Sequence, residues 1–159
     1  MRQAGHLVLG VLAALAAGPV AASSATASLA VSARVEQSCN LDVRPLRFEA
    51  LRSGDARAEA DSTLAVACTP ETAFVVSMDD GQHRAGGERR MASADGGFLA
   101  YELYSDAART RRWGASLTES VGGRIVDGGA VTLPVYGRID AGTAGAGAYS
   151  DMVTVTVSF

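Results

Sequence analysis

The last seven residues of the sequence constrain its fold more than any other stretch. Val153, Val155, Val157 and Phe159 alternate strictly with Thr154, Thr156 and Ser158. A two-residue period built from β-branched residues is the signature of a strand with one face in a core and the other in water. The alternation runs to Phe159, where the sequence ends without a turn or a returning strand. The expectation is a core strand, within a terminal stretch from Ala148 to Phe159, whose far edge must be covered from elsewhere.

A second alternation lies near the other end. In Ser28 to Glu36, Leu29, Val31, Ala33 and Val35 fall on one face. Such a segment is either the first strand of the chain's own sandwich or a strand destined for another molecule, and the period alone does not separate the two. Its place at the N-terminal end, ahead of both cysteines, leaves it free to detach.

The residues before it read as a secretory signal. Arg2 supplies a positive start, Leu7 to Ala17 is an unbroken run of apolar and small residues, Gly18-Pro19 breaks it, and Val20-Ala21-Ala22 offers small residues for cleavage. The run is about half of the roughly 20 residues that span a bilayer, and no second such run follows. The expected organisation is a signal peptide over 1–22, an N-terminal extension over 23–37 and one β-domain over 38–159, with no membrane span in the mature chain. Export to an oxidising compartment makes the only two cysteines, Cys39 and Cys68, an expected disulfide joining the start of the domain to its second strand. By chain-entropy reasoning the closed loop of 30 residues is worth roughly 3.6 kcal/mol.

Between the cysteines and the terminal strand the chain reads as short strands separated by turns. Expected strands are Leu41 to Leu51 with an interruption at Pro45, Ser62 to Cys68, Thr72 to Met78, Phe98 to Ser105 and Val131 to Ile139. Asp79-Asp80-Gly81 reads as a hairpin turn. Phe98 to Ser105 is apolar on both faces and belongs at the centre of a sheet, whereas Pro134 places its strand at an edge or bulge. Ser53 to Asp61, Gln82 to Gly97 and Ala141 to Gly147 read as loops. With 18 glycines, 6% aromatic residues and no helical period after the signal, the fold class is all-β, a sandwich or barrel.

Residues for catalysis are scarce. All 14 basic residues are arginine, which removes Schiff-base lysines and a Walker lysine together. A net charge of −3 does not suggest nucleic acid. His83 is the one histidine beyond the signal, so neither a histidine-based metal site nor a Ser-His-Asp triad has its parts. Asp79-Asp80 belongs to a turn, and Gly142-x-x-Gly145-x-Gly147 leads into a strand rather than a phosphate-binding helix. No enzyme activity, cofactor or metal is expected. Two arginine groups, Arg84, Arg89, Arg90 and Arg109, Arg111, Arg112, either solubilise their loops or contact a polyanionic glycan.

Several motifs in order carry a resemblance: Arg90-Met91, Tyr101-Glu-Leu-Tyr104-Ser-Asp106, Trp113-Gly114, Val135-Tyr136-Gly137-Arg138 and Ala146-Gly147-Ala-Tyr149-Ser-Asp151 through Phe159. Together with the placement of the cysteines, they resemble the spore coat protein U (SCPU) domain family, which includes secreted subunits of archaic chaperone–usher pili. The resemblance spans about Val31 to Phe159. It implies an immunoglobulin-like β-sandwich lacking its last strand. A periplasmic chaperone lends that strand, and at the outer-membrane usher the N-terminal extension of the next, identical or related, pilin replaces it. Leu29, Val31, Ala33 and Val35 would form the donor face, and Val153, Val155, Val157 and Phe159 one wall of the acceptor groove. Burying Leu29, Val31 and Val35 at about 2 kcal/mol each would be a large share of a domain's usual net stability of about 5 to 15 kcal/mol. The implied function is a structural subunit of a surface pilus that serves adhesion and biofilm formation, passing through the periplasm to the cell surface. The alternative is a secreted, self-complemented coat or matrix protein, with glycan binding as an added role.

Overall fold

A computed structural model describes residues 22–52, 55, 57–140 and 145–159. The expected signal peptide, apart from Ala22, lies outside the described residues. The chain divides into two units, one ending at Arg34 and one spanning Val35–Phe159. In the first, residues 22–34 form no strand and are exposed throughout.

The second unit is all-β, with no helix among its described residues. Its strands are β1 (Cys39–Val43), β2 (Arg57–Cys68), β3 (Thr72–Met78), β4 (Arg89–Ser93), β5 (Phe98–Tyr104), β6 (Val121–Ile125), β7 (Gly129–Asp140), β8 (Tyr149–Ser150) and β9 (Val155–Ser158). They pair antiparallel in two sheets, ordered β1-β2-β7-β5-β4-β8 and β6-β3-β9. The core between them follows from the alternation of β2 and β3. Leu64, Val66 and Cys68 of β2 and Phe74, Val76 and Met78 of β3 are buried, together with Leu103, Ile125, Val135 and Trp113. Trp113 is fully enclosed, and its indole N–H donates to the Val76 carbonyl at 3.0 Å. A buried indole is tolerated only with such a partner.

The disulfide is formed. Cys39 opens β1 directly opposite Cys68, the last residue of β2. Ahead of it, the Ser38 carbonyl accepts from Thr69 N–H at 2.9 Å.

Five local expectations are corrected. First, β2 begins at Arg57, inside the stretch expected as a loop. Its charges alternate with Ala58, Ala60 and Ser62, and each finds a partner: Arg57 pairs with Asp140 at 3.1 Å, and Arg109 pairs with Glu59 at 3.1 Å and Asp61 at 2.6 Å. Second, only the first three residues of Leu41 to Leu51 lie in a strand. Third, Asp79-Asp80-Gly81 is a turn but not a hairpin, because β3 pairs with β6 and β9 while the chain crosses to β4 in the other sheet. The hairpin lies within the expected loop instead, joining β4 to β5 where Ser93 N–H donates to the Gly97 carbonyl at 2.9 Å.

Fourth, the strand with Pro134 is not at an edge: β7 lies between β2 and β5. Thr63, opposite Pro134, turns its carbonyl away from β7 to accept Arg44 N–H at 3.0 Å. The proline nitrogen therefore faces the β5 side, where the ladder has already ended at Tyr104↔Tyr136. No ladder donor is required of it there. Fifth, the terminal stretch is two strands. β8 pairs with β4 in one sheet, and β9 pairs with β3 in the other. The expectation for Phe98 to Tyr104 holds, since β5 is flanked by β7 and β4.

Candidate functional site

Strand β9 is the last member of its sheet. Among the described residues it is paired only with β3, through Val75↔Ser158, Val76↔Val157, Ser77↔Thr156 and Met78↔Val155. Val153, Val155 and Val157 pack on the core cluster but are only partly buried, unlike their neighbours Val76 and Met78. Phe159 remains 56% exposed. On β1, the end strand of the other sheet, Leu41 is likewise partly buried and Val43 exposed. Of the four residues expected to line a groove, Val155 and Val157 lie in β9, Val153 just before it and Phe159 just after it, beside a strand edge unpaired among the described residues. Of the residues expected to form a donor face, Leu29, Val31 and Val35 are 87%, 86% and 92% exposed, and Ala33 is exposed too. They belong to no strand.

Two aspartates hold the start of β9. Asp79 N–H donates to the Thr154 carbonyl at 3.0 Å, and Thr154 N–H donates to Asp79 Oδ1 at 2.9 Å. Gly81 N–H donates to the same carboxylate oxygen at 2.9 Å. Partial burial pushes the Asp79 carboxyl up, but the hydrogen bonds from Thr154 and Gly81, with the field of Arg89, bring it below the ordinary value. Asp151, between β8 and β9, is almost wholly buried. Its Oδ1 accepts Gln82 N–H at 3.1 Å and His83 N–H at 3.3 Å and lies 2.8 Å from His83 Nδ1. Its Oδ2 accepts the Tyr101 hydroxyl at 2.7 Å. Burial, and then this hydrogen bond, push the Tyr101 phenol well up from its ordinary value.

Behind this lies an ion network. The Arg89 side chain is completely buried. It donates to the carbonyls of Asp79 at 2.6 Å and Trp113 at 2.8 Å and is paired with Glu102. Arg112 binds Glu102 at 2.7 Å, Asp80 at 2.6 Å and Glu119 at 3.1 Å. The bond from Arg112 holds the Asp80 carboxyl below its ordinary range. Three of the six arginines in the two loops are therefore engaged within the domain, while Arg84 and Arg111 are exposed. Arg89 and Arg112 bind the network, and Arg109 binds Glu59, Asp61 and the Gly137 carbonyl. His83 is drawn onto Asp151. Neither Arg89 nor Asp151 stood out as a structural centre in the sequence, because a polar residue in a glycine-rich stretch looks the same whether it is solvated or enclosed.

Among the described residues, no group of three or more His, Cys, Asp or Glu could hold a metal ion, and no helix is long and apolar enough to cross a membrane. What the arrangement offers is an apolar row beside unpaired backbone groups, suited to receiving an extended chain.

No protein of curated function matches the chain significantly. A chain in the crystal structure of the CsuC–CsuE chaperone–tip adhesion subunit pre-assembly complex, from archaic chaperone–usher Csu pili of Acinetobacter baumannii, aligns with a TM-score of 0.59 and 22% identity. The alignment covers 79% of this chain and 40% of that one, so this chain spans well under half of its neighbour's length. The likeness supports an immunoglobulin-like sandwich. A structure of a chaperone–tip adhesin complex of CFA/I fimbriae aligns at a TM-score of 0.38 and 12% identity, over 75% of this chain and 41% of that one, a likeness too slight to inform the fold. The Spore Coat Protein U domain matches residues 25–156. The chain belongs to the Spore Coat Protein U domain family.

Proposed function

We propose that the chain is a structural subunit of a surface pilus, assembled by donor-strand exchange. Residues 38–159 form the acceptor sandwich, and residues 23–37 form the extension that serves the neighbouring subunit. The observation that carries this reading is the edge at β9, where partly buried Val153, Val155 and Val157 adjoin an unpaired strand side. An added strand would satisfy that edge's N–H and C=O groups and cover the valines in one step. Leu29, Val31, Ala33 and Val35 have the matching period and stand exposed. The pilus origin of the structural neighbour supports the same assignment.

In this reading a periplasmic chaperone first covers the edge. At the outer-membrane usher, the extension of the next subunit replaces it. Each copy gives one strand and takes another, so the contact runs head-to-tail and yields an open filament. The destination is the cell surface, in adhesion and biofilm formation.

The test is deletion of residues 28–36 from the full chain, produced with and without a cognate chaperone. The deletion is expected to abolish polymers while chaperone binding persists, and a synthetic peptide of residues 28–36 should bind the deleted protein. A full-length chain that stays monomeric at high concentration, with no uptake of the peptide by the deleted form, would overturn the proposal and favour a self-complemented coat protein.

A further inference from the structure

The sequence Val-Thr-Val-Thr-Val-Ser at 153–158 has a weakness as an acceptor edge. A one-residue slip against β3 would turn the valines outward, and burial forbids it. A two-residue slip would not. It would set Val155 against Val76 and Val153 against Met78, or Phe159 against Val76 and Val157 against Met78. In both cases apolar residues still face the core and hydroxyl residues still face water. In the first case valine simply replaces valine, so side-chain packing hardly distinguishes the two ladders.

The residues just before β9 do distinguish them. Thr154 meets Asp79 only through its own backbone N–H and C=O, which any residue in that place supplies, so the distinction rests on Asp151. Asp151 is held by two successive backbone N–H groups, a ring nitrogen and the Tyr101 hydroxyl. Gly81 leaves room for that carboxylate, since a Cβ there would lie 2.0 Å from Asp151 Oδ2. A two-residue slip moves the strand by about 7 Å. It would carry Val153 or Tyr149 into the place of Asp151. Valine has no acceptor for these donors, and a tyrosine ring is far bulkier than the carboxylate that the backbone of residues 82 and 83 closes around. Leaving these part-buried donors unpaired is costly.

We infer that Asp151 is a positioning residue that fixes the register of β9 against β3, and so decides which side chains the open edge presents. The register itself is independent of the pilus reading; its bearing on strand uptake rests on that reading.

The experiment is disulfide trapping in the full chain, with Ser77 as the fixed partner. S77C/T156C reports the observed register, because these residues lie opposite each other. S77C/T154C and S77C/S158C report the two slipped ones. In the otherwise native chain, T156C should trap almost all of the protein and the other pairs very little. D151N should raise the slipped crosslinks severalfold, and Y101F, which removes one donor from the same carboxylate, to a lesser degree. Y101F leaves the acid itself in place, so it keeps the test open even if D151N fails to fold. An unchanged crosslink pattern in folded D151N, or in Y101F where D151N does not fold, overturns the inference, because a merely stabilising role would lower the melting temperature without redistributing the pairs. Binding of the synthetic peptide of residues 28–36 is measured on the same proteins. If the slipped crosslinks rise but no variant or parent takes the peptide, the register inference stands and the strand-uptake reading falls.

Discussion

Gly81 and Asp151 occupy one space. Gly81 adopts φ +80°, and a Cβ on it would lie 2.0 Å from Asp151 Oδ2. The loop 79–83 is wrapped so closely around this carboxylate that only glycine fits at its apex. Replacing Gly81 with Ala is expected to destabilise the domain by roughly 2 to 4 kcal/mol, from backbone strain and displacement of the buried acid together. Urea unfolding monitored by Trp113 fluorescence would measure it. A loss below about half a kilocalorie, the range of ordinary surface substitutions, would mean that the loop relaxes freely around Asp151.

Arg89 is the second centre. Its guanidinium holds carbonyls at the end of β3 and at Trp113 while pairing with Glu102. Arg89→Met keeps the length of the side chain and removes every donor. A loss of about 3 to 5 kcal/mol is expected, since several buried acceptors lose their partner at once. Glu102→Gln should cost less, because Arg89 keeps its carbonyl acceptors.

Acid should weaken the sandwich. Asp79, Asp80 and Glu119 have carboxyls held below their ordinary values of 3.8 and 4.5. In the unfolded chain they take up protons first, so the stability they supply is complete above that range and is lost as pH falls through their lower folded values. Melting temperatures between pH 6 and pH 2 should hold down to about pH 5 and then fall. Arg112→Gln removes the partner of Asp80 and Glu119 and should flatten that slope. A parent curve as flat as the variant's would refute the linkage.

Tyr101 gives the opposite limb. Its phenol is pushed up by burial and by Asp151, so the folded protein stays protonated where the unfolded chain ionises. Stability from this group is complete below its ordinary value of 10.0 and declines as pH rises beyond it. Tyr101→Phe should blunt that alkaline decline, read by the same melting curves.

Removing the disulfide by Cys39→Ser with Cys68→Ser should lower stability by about 2 to 4 kcal/mol. It should also increase hydrogen exchange along β1 more than along β3, because the bond closes β1 onto β2.

Strongly periodic stretches were legible in the sequence. β3 and the apolar half of β2 follow from alternation alone, and the disulfide from an even cysteine count in a chain expected to be exported. The row at Val153, Val155, Val157 and Phe159 was legible as one face, but its division into β8 and β9 was not. The break is made by Asp151, which is anchored to residues 50 and more positions away. Strands β4 and the first half of β2 were hidden for a related reason. Their charged residues are compatible with a sheet only because Glu102 and the Asp79 carbonyl meet Arg89, and Asp140 meets Arg57. Those are meetings of distant residues, and no local period encodes them. Pro134 misled in the other direction, since the rule against proline concerns a donor that β7 does not need at that position.

The covalent link at the head of β1 has a mechanical meaning for a fibre of the proposed kind. Tension on the backbone ahead of Ser38 would meet the Ser38–Thr69 hydrogen bonds and then, one residue later, the Cys39–Cys68 bond. An ordinary end strand pulled from its tip unzips rung by rung. Here unzipping would halt at the first rung, and the pull would pass into β2, whose twelve residues are laddered to β7 along their full length. A tether leaving the domain at this point could be stretched hard without stripping the sheet behind it.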